Sequence, residues 1–314
     1  MNHDNPFLSV KQLLDIPQMV LNVWNLAFSP DSRFLAIPHA GPPYLTVLDR
    51  DEQWDLIYET PFLEGSARGA LFSPNGEYLA ITHRQGRQLT VLDTQTWKPI
   101  SHTPTLPGLG WKFSFSPDSK HLAFAHSKGH QLSVFDTTDW SVSQSTPQIF
   151  NSGHTAVYSP NGRFLAIACN GAPYLRIFET QTWVEQIPRV SFNHSINDLA
   201  FSPDGRFLSV GLESYKGIAV LETRTWALHE SIGPALDDDI GVCLEFTPDG
   251  RFLAVGHEKA PFFSLFSTHN WVKTPHRIVV DRQITDFRFS PNGIMLAIAH
   301  QIQSTLSLYE LNPS

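Results

Sequence analysis

Residues 28–50 read FSPDSRFLAIPHAGPPYLTVLDR, and residues 158–179 read YSPNGRFLAIACNGAPYLRIFE. The two stretches match nearly position for position, and their shared anchor is Ser/Thr-Pro, then Asp or Asn, then Gly or Ser. This anchor occurs seven times at spacings of 43 to 45 residues, with its prolines at Pro30, Pro74, Pro117, Pro160, Pro203, Pro248 and Pro291. Self-similarity at such a period is typical of solenoids and propellers, so the repeat is the first constraint on the fold.

One unit, residues 67–103, shows what the repeat encodes. Residues 67–73 alternate as a strand does, and Pro-Asn-Gly then predicts a tight turn with Gly in the left-handed position. Residues 77–83 and 89–93 predict two more strands, and Trp97 begins a fourth. Four short antiparallel strands every 43 residues are typical of a β-propeller blade. The sequence therefore predicts an all-β, seven-bladed β-propeller that forms a single domain over residues 1–314.

The two chain ends are expected to meet in the last blade. The seventh unit stops after its third strand, whereas residues 7–13 form a strand-like stretch before the first unit. We expect residues 7–13 to supply the missing outer strand, because this pairing would remove an open edge from the ring.

Five of the seven anchor turns carry Gly at the left-handed position, and Ser32 and Ser119 occupy it in the other two. A residue other than Gly costs on the order of 1 kcal/mol there. On this basis Ser119→Gly is expected to stabilise the fold.

The order of strand, SPDG turn, strand, turn and strand resembles the WD-repeat propellers over nearly the whole chain. The Trp-Asp dipeptide of that family is replaced, for example by Leu92-Asp93 and Phe178-Glu179, so its buried Trp–Ser–His–Asp network is not expected. The combination of SP(D/N)G, LAIAH, (A/P)PYLTV and DTxTW more closely resembles the uniform propellers of tailed bacteriophages. That resemblance implies a virion or tail-associated role.

Composition excludes several partners and compartments. The chain has 22 basic and 30 acidic residues, a net charge of −8, which argues against nucleic acid and anionic membranes as partners. No secretory signal or membrane-spanning apolar run is visible. Cys169 and Cys243 fall two units apart, so we expect free thiols and a reducing compartment, the cytoplasm, before any assembly into a virion.

Nine residues after the anchor proline, five of the seven units carry histidine: His39, His83, His126, His257 and His300. A ring of imidazoles suggests a metal site. Equivalent residues of adjacent blades should lie about 10 Å apart, however, and zinc ligands must all lie within about 2.3 Å of one ion. We therefore expect each histidine to bond the backbone of its own blade, and we predict no metal and no cofactor.

Six tryptophans recur at the start of the fourth strand, and we interpret them as packing between blades: Trp54, Trp97, Trp140, Trp183, Trp226 and Trp271.

The entry to the innermost strand, six residues before the proline, varies from unit to unit and should ring the mouth of the axial channel. Positions that break the uniformity of a repeat are free of its common packing, so function can be placed there. Its occupants are Trp24, Arg68, Trp111, His154, Asn197, Val242 and Thr285. The first five of these, together with the nearby loop residues Asp237, Asp238 and Asp239, are the predicted partner-binding residues. We interpret the three aspartates as a solvated loop and not as a calcium site.

Two functional hypotheses remain open. A hydrolase resembling the lactonase propellers would need acid, base and cation at the channel mouth, and candidates exist at Arg68, His154, Asp198, Glu245, Asp286 and Arg288. No motif ties them together, and the unit length varies by only two residues, leaving little room for long active-site loops. The favoured hypothesis is a non-catalytic module that binds protein partners, in its specific version other virion proteins. The lactonase-like hydrolase is the alternative.

Overall fold

The computed structural model describes residues 10–16, 22–57, 63, 65–84, 89–101, 106, 112–126, 132–143, 146–147, 149, 153–188, 191–213, 217–232, 241–257, 262–275, 278–280, 283–300 and 306–311. These residues form 26 β-strands in seven antiparallel sheets and contain no helix. Each sheet corresponds to one sequence unit, so the prediction of an all-β, seven-bladed propeller is confirmed.

The strands follow one another around the ring, and each blade runs from the channel outward. Blades 1 and 2 contain β2 (Ala27–Phe28), β3 (Phe34–Pro38), β4 (Leu45–Asp49), β5 (Asp55–Leu56), β6 (Ala67–Phe72), β7 (Tyr78–His83) and β8 (Leu89–Asp93). Blades 3 and 4 contain β9 (Phe113–Phe115), β10 (His121–Ala125), β11 (Leu132–Asp136), β12 (Gly153–Tyr158), β13 (Phe164–Cys169), β14 (Leu175–Glu179) and β15 (Glu185–Gln186). Blade 5 contains β16 (Ile196–Phe201), β17 (Phe207–Leu212), β18 (Gly217–Glu222) and β19 (Ala227–Ile232).

Blade 6 contains β20 (Gly241–Phe246), β21 (Phe252–His257), β22 (Phe262–Ser267) and β23 (Ile278–Val279). Blade 7 contains β24 (Ile284–Phe289), β25 (Met295–His300), β26 (Leu306–Leu311) and the N-terminal β1 (Val10–Ile16). Five sheets have the expected four strands. In blades 2 and 3 the described part of the fourth-strand region forms the isolated bridges Leu92↔Pro99 and Phe135↔Val142.

The first strand of the chain closes the last blade. β1 pairs antiparallel with β26 from Val10↔Leu311 to Ile16↔Leu306, with one register shift between Gln12 and Leu14. The prediction of a closing N-terminal strand is confirmed, and its described part runs to Ile16, three residues beyond the predicted end at residue 13. Residues 7–9 lie outside the described residues.

The anchor motif recurs because its hydroxyl organises the turn. In blade 5, Ser202 Oγ donates to Asp204 Oδ1 at 2.6 Å and accepts from the Phe207 amide at 2.9 Å. The Thr223 hydroxyl then donates to the Gly205 carbonyl at 2.7 Å and ties the third strand to the same turn. The hydroxyl-to-Asp/Asn bond is present in all seven blades, from Ser29, Ser73, Ser116, Ser159, Ser202, Thr247 and Ser290. The motif is therefore a local structural requirement.

The left-handed turn position has the expected conformation, with φ of 62° at both Ser32 and Ser119. Each serine, however, makes a bond between blades that glycine could not make. Ser119 Oγ accepts from the Asn75 amide at 2.9 Å, and Ser32 Oγ accepts from the Asn292 amide at 3.1 Å. The stabilisation expected from Ser119→Gly does not include the loss of the hydrogen bond to Asn75.

We now expect Ser119→Gly to leave the free energy of unfolding nearly unchanged, because relief of about 1 kcal/mol of strain offsets a hydrogen bond of similar strength. Ser119→Ala keeps the strain and loses the bond, so it should cost about 1 kcal/mol. Urea denaturation of both variants measures the difference. A full 1 kcal/mol gain in the glycine variant would mean that the bond to Asn75 contributes nothing.

The repeated tryptophans pack between blades, as expected. Aromatic rings that begin a second strand meet the tryptophan of the next blade edge-on, with centroids 5.2 Å apart for Phe34–Trp97 and 4.9 Å apart for Phe164–Trp226. All six tryptophans have positive φ, and each amide donates at 2.7 Å to the backbone carbonyl that opens its turn. They therefore close the turn before the fourth strand instead of beginning that strand.

Candidate functional site

A β-bulge explains why the sixth residue before the anchor proline varies. In blades 2, 4, 5, 6 and 7 the pairing of the first two strands skips one residue of the first strand. The skipped residues are Arg68, His154, Asn197, Val242 and Thr285, the variable position of the repeat. A bulged residue has no cross-strand partner and so escapes the packing shared by the blades. The bulge also sets the direction of the side chains that follow it along the channel.

The innermost strands of all seven blades surround an axial cavity of about 430 Å³. Its polar wall is formed by side chains five and three residues before the anchor proline, including Asn25, Lys112, Ser114, Glu245 and Arg288. This arrangement brings polar side chains of several blades together in the channel.

The polar side chains of the channel hold each blade to the next. An innermost strand bonds to only one neighbour in its sheet, so its other edge presents unpaired amides to the channel. Asp198 Oδ2 accepts from the Leu244 amide at 2.9 Å, and Asp286 Oδ2 accepts from the Leu26 amide at 2.9 Å. Asn25 Oδ1 accepts from the Ala70 amide at 2.8 Å in the same way.

The position three residues before the proline supplies two more of these bonds. Glu245 Oε2 accepts from the Phe289 amide at 3.0 Å, and Ser114 Oγ accepts from the Tyr158 amide at 3.2 Å. In all five cases a side chain of one blade caps an amide of the following blade. We call these five contacts the forward caps.

Two ion pairs lie beside the forward caps. Lys112 Nζ is 2.7 Å from Asp198 Oδ2, and Arg288 is 3.3 Å from Asp286 Oδ1. The two aspartate side chains are 1% and 2% exposed, so each carboxylate depends on its cation and on its amide bonds.

Burial also changes the protonation of the channel carboxyl groups. Removal from water raises the pKa of Glu245 to about 8, although Arg288 and the bond from Phe289 oppose the shift. Burial raises the pKa of Asp286 as well, again against Arg288. At neutral pH Glu245 is therefore largely protonated.

Stability should fall as the pH rises from about 4.5 to 8. Over this window the unfolded chain has released the Glu245 proton, whereas the fold retains it. We expect Glu245→Gln to match the native protein at pH 5 and to be more stable at pH 8 by on the order of 2 kcal/mol, after allowance for water in the channel. Thermal unfolding at both pH values measures this difference, and Glu52→Gln, which removes an exposed carboxylate, is the control. An equal effect of the two substitutions at pH 8 would contradict the assignment.

The predicted mouth residues form two separate groups. The Arg84 guanidinium lies 5.3 Å from the centre of the Trp24 ring. Burial, together with the positive charge of Arg84, lowers the pKa of Arg68. Trp24 and Arg68 are both half-buried and belong to neighbouring blades. Through Arg84 they form one cluster at the mouth, which we call the Trp24 cluster.

The second group lies near Lys112 and Asp198. His154 is buried, its carbonyl accepts from the Lys112 amide at 3.0 Å, and burial lowers its pKa against the charge of Asp198. Asn197 is half-buried at the neighbouring bulge. The predicted residues Trp111, Asp237, Asp238 and Asp239 lie outside the described residues.

Sequence reasoning missed Asn25, Lys112 and Ser114 as channel residues. It singled out Asp198, Glu245, Asp286 and Arg288 for a hydrolase, without seeing that the carboxylates serve as caps. The available signal was the position directly after the variable one, where Asn, Lys and two Asp replace apolar residues in four units.

The five repeated histidines each bond a hydroxyl of the third strand in their own blade. His83 Nε2 lies 2.8 Å from Thr90 Oγ1, and His126 Nε2 lies 2.7 Å from Ser133 Oγ. The same contact joins His39, His257 and His300 to Thr46, Ser264 and Ser307. Each histidine therefore bonds within its own blade as expected, but through a side-chain hydroxyl, and a backbone partner is seen at His83, whose Nδ1 lies 3.3 Å from the Gly65 carbonyl oxygen.

Cys169 and Cys243 are buried free thiols, as predicted. Within the described residues, no cluster of His, Cys, Asp and Glu could hold a metal ion. The same residues include no helix with the length and apolar character needed to traverse a bilayer.

Comparison with known proteins places the fold among propellers. A family model described as "WD domain, G-beta repeat" matches residues 187–219, which cover the first two strands of blade 5. No curated protein matches the sequence.

Two solved structures resemble the whole ring. The β-propeller domain of Cps50 (Swd1) from Myceliophteria thermophila has a TM-score of 0.79 at 13% identity, covering 97% of this chain and all of that one. Hydrazine synthase from Kuenenia stuttgartiensis has a TM-score of 0.78 at 13% identity, covering 95% and 98%. At this identity the likeness concerns the fold alone. The chain is therefore a seven-bladed β-propeller, and one stretch of it matches the WD-repeat model.

Proposed function

We propose that this propeller is a non-catalytic module that binds a protein partner through the mouth of its channel. The observation that carries the proposal is the use of the channel carboxylates. Asp198, Glu245 and Asp286 each accept a main-chain amide of the next blade, so their lone pairs hold the ring together. Groups committed in this way are poorly suited to act as acid or base during a reaction.

The Trp24 cluster provides the contact surface in this proposal. Trp and Arg are the residue types that most often carry binding energy at protein interfaces. Because Trp24 and Arg68 sit on adjacent blades of a rigid ring, a partner would meet a preorganised surface and lose little entropy on binding.

Partner capture followed by affinity measurement tests the proposal. The tagged protein is crosslinked in its native source, and the identified partner is purified and titrated against Arg68→Ala and Arg224→Ala. Arg224 is exposed in the turn between the third and fourth strands, on the opposite face of the ring. We expect at least tenfold weaker binding for Arg68→Ala and no change for Arg224→Ala. Equal affinity of both variants would exclude the mouth as the binding surface.

The specific version of the proposal is a bacteriophage virion protein that folds in the cytoplasm and is then assembled. It rests on the resemblance of the SP(D/N)G and DTxTW motifs, and the comparisons add nothing to it. Neighbouring genes for capsid or tail proteins, and recovery of the protein in purified virions, would support it. A lactonase-like hydrolase remains the alternative, and a thermal-shift panel of small lactones tests it through binding in the 430 Å³ cavity.

A further inference from the structure

The junction between blades 3 and 4 lacks an aromatic contact that four other junctions share. At four junctions an aromatic ring that begins the second strand covers the tryptophan of the next blade: Phe34–Trp97, Tyr78–Trp140, Phe164–Trp226 and Phe207–Trp271. Blade 3 has His121 in this place, and His121 is exposed. Trp183 of blade 4 is accordingly half-buried, whereas the other five repeated tryptophans are buried.

The exchange leaves an open groove of about 610 Å³ between the two blades. Trp183, His121 and Tyr158 contribute its rings, Val134 adds an aliphatic contact, and Asp118 supplies a carboxylate. We call this space the blade 3/4 groove. It opens on the face of the anchor turns, opposite the channel mouth.

The polar groups of the groove are suited to a cationic donor. Tyr158 is 8% exposed and lines the groove together with Asp118. Burial, and after it the charge of Asp118, raises the pKa of Tyr158. The described lining includes Asp118 but no lysine or arginine, and the whole chain carries a net charge of −8.

Other blades show which group stacks at this place. Four arginines lie over the phenylalanine that follows them, with guanidinium-to-ring distances of 4.7, 4.9, 5.1 and 5.6 Å: Arg33, Arg163, Arg206 and Arg251. In blade 3 the corresponding residues are Lys120 and His121, so this stack is missing where the groove opens. A planar guanidinium suits the groove because it stacks on aromatic rings and bonds a carboxylate at its edge.

We propose that the blade 3/4 groove binds an arginine side chain of a protein partner, stacked on Trp183 and bonded to Asp118 and the Tyr158 hydroxyl. The proposal rests on the proposed function as an interaction module and adds a second contact surface on the opposite face. A single side chain of this kind should bind with a Kd in the millimolar range, and a partner segment that brings further contacts would bind more tightly.

Titration of the full chain with N-acetyl-arginine amide tests the proposal directly. In NMR spectra the indole N–H resonance of Trp183, assigned with Trp183→Phe, should shift, and the shift should saturate with ligand concentration. The resonance of Trp140 should not shift. N-acetyl-citrulline amide has nearly the same shape without the charge and should cause less than a tenth of the shift. Asp118→Asn should weaken arginine binding at least fivefold.

His121→Phe should fill the groove in a protein that still folds. It restores the aromatic pair of the other junctions, so the melting temperature should stay the same or rise while arginine binding is lost. The proposal is overturned if arginine amide causes no shift at 50 mM, if citrulline or N-acetyl-phenylalanine amide binds as well, or if His121→Phe still binds. Because Arg68→Ala tests the opposite face with a whole partner, failure of one experiment leaves the other informative.

Discussion

Deleting residues 1–16 is expected to lower the free energy of unfolding by more than about 5 kcal/mol, a large part of the stability of a typical domain. The deletion removes β1, whose residues from Val10 to Ile16 pair with β26, and leaves the last blade with an open edge. Urea and thermal unfolding followed by circular dichroism would measure the loss of stability. The melting temperature should fall by more than about 10 °C.

Two matched variants separate the strand from the rest of the N-terminus. Deletion of residues 1–9 keeps β1 and should cost much less. A permuted chain that begins at residue 22 and carries residues 1–16 after residue 311 should recover most of the stability, because the same strand can pair with β26 from the other end. An unchanged melting temperature after deletion of residues 1–16 would refute the role of β1 in closing the ring.

Asp198→Ala is expected to cost about 3 to 5 kcal/mol, the largest loss of any single substitution proposed for this protein. The carboxylate is 1% exposed, lies 2.7 Å from Lys112 Nζ and accepts amides of Leu199 and Leu244. Its removal leaves a cation and two amides of the channel wall without their partner. Asp198→Asn has a single carbonyl oxygen, which can keep the bond from the Leu244 amide but not the bond from the Leu199 amide to the other oxygen, so it should lose about half as much.

A double-mutant cycle isolates the ion pair. Lys112→Met combined with Asp198→Ala should recover 1 to 3 kcal/mol relative to the sum of the single losses. The exposed pair Arg163–Glu179, with an arginine side chain 64% exposed, serves as the control and should give a coupling below about 1 kcal/mol. Similar coupling energies for the two pairs would mean that the channel wall is as well solvated as the surface.

The blade architecture could be predicted because each unit repeats the same local chemistry. The hydroxyl of Ser202 and the carboxylate of Asp204 act within five residues, so the anchor can be recognised without knowledge of distant contacts. The closing strand was also predictable, since one unit lacked its fourth strand. Its predicted end at residue 13 was three residues too early, because residues 14–16 carry no turn signal that marks where the strand stops.

The channel was harder to predict because its contacts join residues of different units. Asp286 and Leu26 are 260 residues apart in the sequence and 2.9 Å apart in the ring. Variation at the sixth position before the proline was visible, but its cause, a β-bulge, depends on strand pairing. The residues directly after the bulge form the wall, so the sequence located the mouth within one residue but missed the chemistry of the wall.

Two positions of the repeat change together, and the pair would have predicted the histidine contact better than either position alone. Where the second strand ends in histidine, the residue seven positions later is Thr or Ser. In blade 4 these positions hold Cys169 and Arg176, and Arg176 instead forms an ion pair with Glu185 at 2.7 Å. Comparison of the units with one another would have identified the histidine partner without any structure.

The five forward caps all run in the same direction around the ring, because each of them reaches from a unit to its successor. A change in the inner strand of one unit therefore reaches the neighbour on one side through these bonds. The donors are main-chain amides that every unit carries, so a transplanted unit keeps its donors and the unit before it decides whether a side chain reaches them. Moving two consecutive units preserves the cap between them, and a cut after blade 2, whose Gly69 has no side chain to extend, leaves the forward caps of the described residues intact.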